Sequence, residues 1–141
     1  MGLEIKQIVE VWTAEKIDLR AGADISTVQA IFQSVDRALS ADVLALYMTS
    51  SGMKTMGDED SRSFSFWPLE DAAKSTMVLP NSYFAFGDGI LSSHRYSFHF
   101  ENPLQSSVYG DYSDGKFIKL ADNVEHFFTL LIENPGQLWL P

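Results

Sequence analysis

The side chains that could do chemistry in this chain are few, and each group fails a specific test. There are three histidines, His94, His99 and His126, and no cysteine. The missing thiols exclude a disulfide framework, a thiolate metal centre and a cysteine nucleophile. His94 and His99 lie five residues apart on an alternating stretch, so they face opposite sides and cannot close on one metal ion. His126 falls off the apolar stripe of its helix and reads as solvent-facing. Asp58, Glu59 and Asp60 form an acidic run, but a calcium loop counted from Asp58 would put Ser63 where the glycine belongs and Leu69 where the bidentate glutamate belongs. Gly87-Asp88-Gly89 begins like a dinucleotide fingerprint, yet Ser92 stands at the third glycine. The residues after it alternate as a strand, where phosphate cradling needs a helix N-terminus. There is no Gly-x-Ser-x-Gly elbow, and among 19 acidic residues no spacing singles out a carboxylate pair. The expectation is a protein that is not an enzyme and holds no metal or cofactor.

The elements that would position these residues follow from periodicity. Tyr96, Phe98 and Phe100 alternate with Arg95, Ser97, His99 and Glu101, the pattern of a half-buried strand with aromatics inward. With Tyr83 to Phe86 before it and Gly87-Asp88-Gly89 as the turn, this reads as a hairpin at the middle of a sheet. Upstream, Ile5, Ile8, Val9 and Trp12 form one helical stripe, and Val28, Ile31, Phe32 and Val35 a second, opened by a Ser26/Gln29 capping box. A third helix is capped by Ser40, buries Val43, Leu44, Tyr47 and Met48, and stops at Ser51-Gly52. Phe64, Phe66 and Trp67 make a short strand, and Pro68 opens a short helix. Val108 to Gly110 and Lys116 to Leu120 read as strands joined around Ser113-Asp114-Gly115. Asp122 caps a last helix with Val124, Phe127, Phe128 and Leu131 inward, and Leu138, Trp139 and Leu140 are expected to dock. The fold class is α+β: N-terminal helices, an antiparallel-dominated sheet built on the central hairpin and meander, and a closing C-terminal helix.

At 141 residues the chain fits one domain, burying roughly two-thirds of its unfolded surface. Its net charge of −9 repels nucleic acid and anionic lipid and favours basic partners. No apolar run spans a bilayer and the first residues lack a signal-peptide core, so a cytoplasmic protein is expected.

Three blocks together resemble the SUKH superfamily, in particular its SMI/KNR branch of cell-wall-assembly-regulator-like domains. The first is Leu39 to Tyr47 followed by Ser51-Gly52, similar to the family's leucine–proline–x–aspartate helix start and its asparagine–glycine stop. Ser40 and Ser51 replace the proline and the asparagine, but serine also caps a helix and Gly52 still supplies the left-handed turn. The second is Phe64 to Glu70, which resembles an aromatic strand ending in tryptophan–x–leucine–glutamate. The third is Tyr83 to Gly89, with Val108-Tyr109 and Phe127-Phe128 following in order. The resemblance covers about Ala21 to Ile132 and implies an α+β domain without catalytic residues. It also implies that many bacterial members are immunity proteins that neutralise a cognate toxin, often a nuclease, while others are regulatory or scaffolding domains.

The functional expectation is therefore a protein-binding domain that neutralises a basic toxin effector, with a regulatory or scaffold domain as the alternative and a hydrolase ranked last. The contact surface is placed on the loop from Met53 to Ser63. There Asp58, Glu59 and Asp60 would steer a cationic partner, and Met53 and Met56 offer adaptable thioethers. The Arg95, His99 and Glu101 face of the hairpin is the second choice.

Overall fold

The computed structural model describes residues 4–89 and 93–138. The first apolar stripe forms α1 (Ile5–Ala14), with Ile8 and Trp12 buried. The second forms α2 (Ile25–Ser34), which begins earlier than the capping box suggests. Asp24 is its N-cap, accepting the Thr27 N–H at 2.8 Å, and Ser26 donates to the same carboxylate instead of capping. A carboxylate is the stronger acceptor for those orphan donors, so it takes the position. In α3 (Ala41–Thr49) Ser40 is the N-cap residue by backbone, but its hydroxyl turns to Asp42 Oδ1 (2.6 Å) and Ser106 Oγ (2.7 Å). The first N–H groups of α3 donate to the Pro103 and Leu104 carbonyls, so a tertiary contact replaces the local cap. Leu46 fills the inner face with Val43 and Tyr47, while Met48 is 43% exposed.

Five antiparallel strands follow in sequence order: β1 (Phe64–Phe66), β2 (Tyr83–Gly89), β3 (His94–Asn102), β4 (Gln105–Asp111) and β5 (Ile118–Ala121). Between β1 and β2 comes α4 (Leu69–Thr76), with Pro68 at its N-cap. After β5 come α5 (Val124–Glu133) and a 3-10 turn, Pro135–Leu138. Asn123, not Asp122, caps α5 by accepting the His126 N–H, and Asp122 pairs with Lys119 at 3.0 Å. The expected stripe of α5 is buried throughout, as is Leu138, whereas Trp139 and Leu140 lie outside the described residues. The class is α+β, and no helix among the described residues is long and apolar enough to cross a membrane.

Tyr96 and Phe98 point into the core as the alternation requires, while Phe100, near the strand end, is half-buried. Phe98 stacks on Phe86 at 4.0 Å and Phe32 on Phe84 at 4.1 Å, joining the sheet to the helices. β1 is only three residues long, which leaves the edge of β2 unpaired at Tyr83 and Ala85. Side chains close that edge. Thr76 Oγ1 accepts the Ala85 N–H at 2.9 Å, and Arg37 Nε donates to the Tyr83 carbonyl at 2.7 Å. The remaining Arg37 donors reach the carbonyls of Val35, Asp36, Thr76 and Leu79.

Gly87-Asp88-Gly89 is not the hairpin turn. It lies within β2, and residues 90–92 lie outside the described residues. The glycines serve close approach: a Cβ on Gly87 would sit 2.2 Å from the Ser65 carbonyl, and one on Gly89 2.7 Å from the Tyr96 hydroxyl. Gly87→Ala is therefore expected to push β1 from β2 and cost about 1–3 kcal/mol. A urea midpoint equal to wild type would contradict this packing.

His94 is buried at 3% exposure, facing the core side, with Nε2 2.7 Å from the Tyr96 hydroxyl. That hydroxyl also reaches the Leu138 carbonyl at 3.3 Å, and Ser93 Oγ lies 3.1 Å from His94 Nδ1. Burial pulls the His94 pKa below 6.5. A depressed folded-state pKa means that the unfolded chain binds the extra proton first. Its contribution is thus complete above pH 6.5 and is lost as pH falls through the folded value. Between pH 7.5 and 5 the wild type should lose stability more steeply than His94→Gln, and parallel curves would contradict the assignment.

Candidate binding surface on the open sheet face

The sheet register assigns most polar strand residues to a face. Gly87, Gly89, Tyr96 and Phe98 face the helices, and their neighbours form rows on the opposite, open face. One row runs Ser65, Asp88, Arg95, Asp111 across four strands. The next runs Ala85, Ser97, Tyr109, Lys119, and a third runs Tyr83, His99, Ser107. Arg95 grips the fully buried Asp111 with two bonds, of 3.0 and 2.7 Å, and Trp67 Nε1 reaches Asp88 at 3.3 Å. Beside them Tyr83, His99, Tyr109 and Phe117 form a half-buried ring cluster. Phe117 lies just before β5 and stacks on Tyr83 at 4.0 Å. Glu101 Oε2 accepts from Ser107 Oγ at 2.6 Å and lies 2.7 Å from His99 Nδ1. Those two bonds, in that order, hold its carboxyl below the ordinary range. Burial raises the Tyr83 hydroxyl, and the charges of Tyr109, Glu101 and Asp111 raise it further.

The loop after Gly52 borders this face, and it divides the five residues expected to bind a partner. Ser65 on β1 donates to the Met56 carbonyl (3.1 Å) and the Asp58 carbonyl (2.6 Å), fixing the loop against the open side of the sheet. Glu59 is exposed, Met56 is 39% exposed, and Asp58 is half-buried with Oδ2 accepting the Thr55 N–H at 3.0 Å. Asp58 and Glu59 line a shallow groove of about 230 Å³ with Lys16, Ile17 and Asp18.

Met53 and Asp60 correct the expectation of a solvated loop. Met53 is fully buried: its N–H donates to the Phe66 carbonyl, and it bridges to Leu19. Asp60 is 5% exposed and accepts four donors: Trp12 Nε1 at 2.9 Å, Arg62 N at 2.8 Å, Phe64 N at 3.1 Å and Arg62 Nη1 at 3.2 Å. Arg62 also pairs with Glu15 at 2.7 Å. Burial alone would raise the Glu15 pKa, but bonds from Arg62 and Ser61 outweigh it and hold the carboxyl low. Asp60 is thus the internal tie between loop, β1 and α1, and the accessible acids are Asp58 and Glu59.

Sequence reasoning named Arg95, His99 and Glu101 but missed Tyr109, Phe117 and Lys119 as their neighbours. The Tyr109–Lys119 pairing depends on a register shift in β4–β5, which no local pattern encodes. No cluster of three or more metal-ligating side chains occurs among the described residues. In comparison with known proteins, no family model matches the chain and no curated protein sequence matches it.

Proposed function

We propose that this chain is a non-catalytic protein-binding domain of the SMI/KNR type that binds and neutralises a basic toxin effector. One observation carries the reading: acids gather on and beside the open sheet face. Asp88 and Glu101 lie on it, and Asp58 and Glu59 lie at its margin, while the buried Asp111 is balanced by Arg95 and Lys119 is the remaining cation. Such a face draws in a cationic protein and repels nucleic acid. The loop is held by Ser65 and Asp60 before any partner arrives, which lowers the ordering cost of association. The order of elements, with helices first, then a meander, then a closing helix, supports the family resemblance of the three sequence blocks.

The test is co-expression. The C-terminal domain of the protein encoded beside this chain is expected to arrest growth when expressed alone, and co-expression of this chain is expected to relieve the arrest. Arrest that this chain does not relieve, or a neighbour with no toxic domain, contradicts the proposal.

A further inference from the structure

Ser97 is the one residue of the open face whose placement packing does not explain. It is fully buried, pairs in register with Ala85 and Tyr109, and its hydroxyl has no partner. An enclosed hydroxyl with no partner is costly, and alanine would fit the same site without that cost. Diagonal to it, the Tyr83 ring is occupied by Phe117, which reaches from the β5 side of the sheet to stack on β2 with an interplanar angle of 15°. Phe117 is carried by a connection with two left-handed residues, Ser113 and Gly115. Glu101 completes the group. Both of its bonds end on Oε2, which leaves Oε1 for a further donor.

A flat ring platform, a carboxylate with spare lone pairs and an enclosed acceptor together match one side chain. Guanidinium is planar, stacks on aromatic faces and presents donors in a fixed fork, whereas ammonium has neither the plane nor the fork. We propose that this face reads an arginine of the basic partner. The guanidinium takes the place of Phe117 on Tyr83, pairs with Glu101 and donates to the Ser97 hydroxyl. This rests on the reading of the chain as a binder of a basic protein.

The test compares two peptides of equal charge, a lysine pentapeptide and the same peptide with a central arginine, titrated into the full chain at low salt. The arginine peptide is expected to bind roughly three- to fivefold tighter, the size of one exposed cation–π contact. Tyr83→Leu and Glu101→Gln should each erase the difference. Glu101→Gln, on an exposed side chain, keeps the test readable if Tyr83→Leu unfolds. Phe117→Ala should widen the difference by vacating the platform, an effect that a purely structural phenylalanine would not produce. Replacing Asp58 and Glu59 by serine should weaken both peptides alike and leave the ratio intact. Equal affinities in the wild type, or a ratio that survives Glu101→Gln, overturn the arginine site while leaving the basic-partner reading standing. Failure of both peptides to bind overturns both.

Discussion

Asp60→Ala is expected to lower the unfolding free energy by about 3–5 kcal/mol, the usual cost of removing one partner of a buried ion pair. The change takes one of its two carboxylates from the Arg62 guanidinium, which keeps only Glu15, leaves the Trp12 indole N–H without its acceptor at 2.9 Å, and frees the N–H groups of Arg62 and Phe64. Desolvated donors without partners, not the lost attraction alone, set the magnitude. Trp12 is central to the core, packed between Phe64 and Phe66, so the damage reaches α1 and β1 together. Urea denaturation checks it directly. Glu59→Ser in the same loop, on an exposed side chain, should shift stability by less than about 0.5 kcal/mol. Equal midpoints for the two variants would mean that Asp60 is solvated after all.

Phe98→Ala should cost a similar amount, about 3–5 kcal/mol, by a different mechanism. Phe98 is 2% exposed at the centre of the middle strand, stacked on Phe86 at 4.0 Å with its planes 11° apart, and edge-on to Tyr47. Its removal loses transfer free energy and opens a cavity that rigid strands on both sides cannot collapse into. Phe100→Ala, two residues along on the same face but half-buried, should cost clearly less. If the two variants unfold at the same midpoint, the depth assigned to this strand is wrong.

Period and polarity made most of the fold legible. Trp12, Phe32, Phe98, Phe127 and Phe128 all occupy the faces that their spacing demands, because burial of a stripe or an alternating face is a local instruction. What stayed hidden was set by distant atoms. Ser40 is a good cap by type, yet Ser106, 66 residues away, claims its hydroxyl. Gly87-Asp88-Gly89 has turn chemistry, but the need is for space beside the Ser65 carbonyl. The acids at 58–60 look alike in sequence, and only the arrival of Trp12 and Arg62 separates the buried Asp60 from its neighbours. The alternating face of β3 pointed to Arg95, His99 and Glu101, whereas Phe117 joined them only through tertiary stacking on Tyr83.

The most direct measurement is the association rate between this chain and the proposed partner, a basic toxin domain if the neighbouring gene encodes one, taken across ionic strength. The account predicts fast association that slows as salt rises. The slope should be shallower when Asp58 and Glu59 are both replaced by serine, with the Asp60 tie left intact. Absence of binding, or binding whose rate ignores salt in both proteins, would contradict the claim that this acidic open face captures a basic partner.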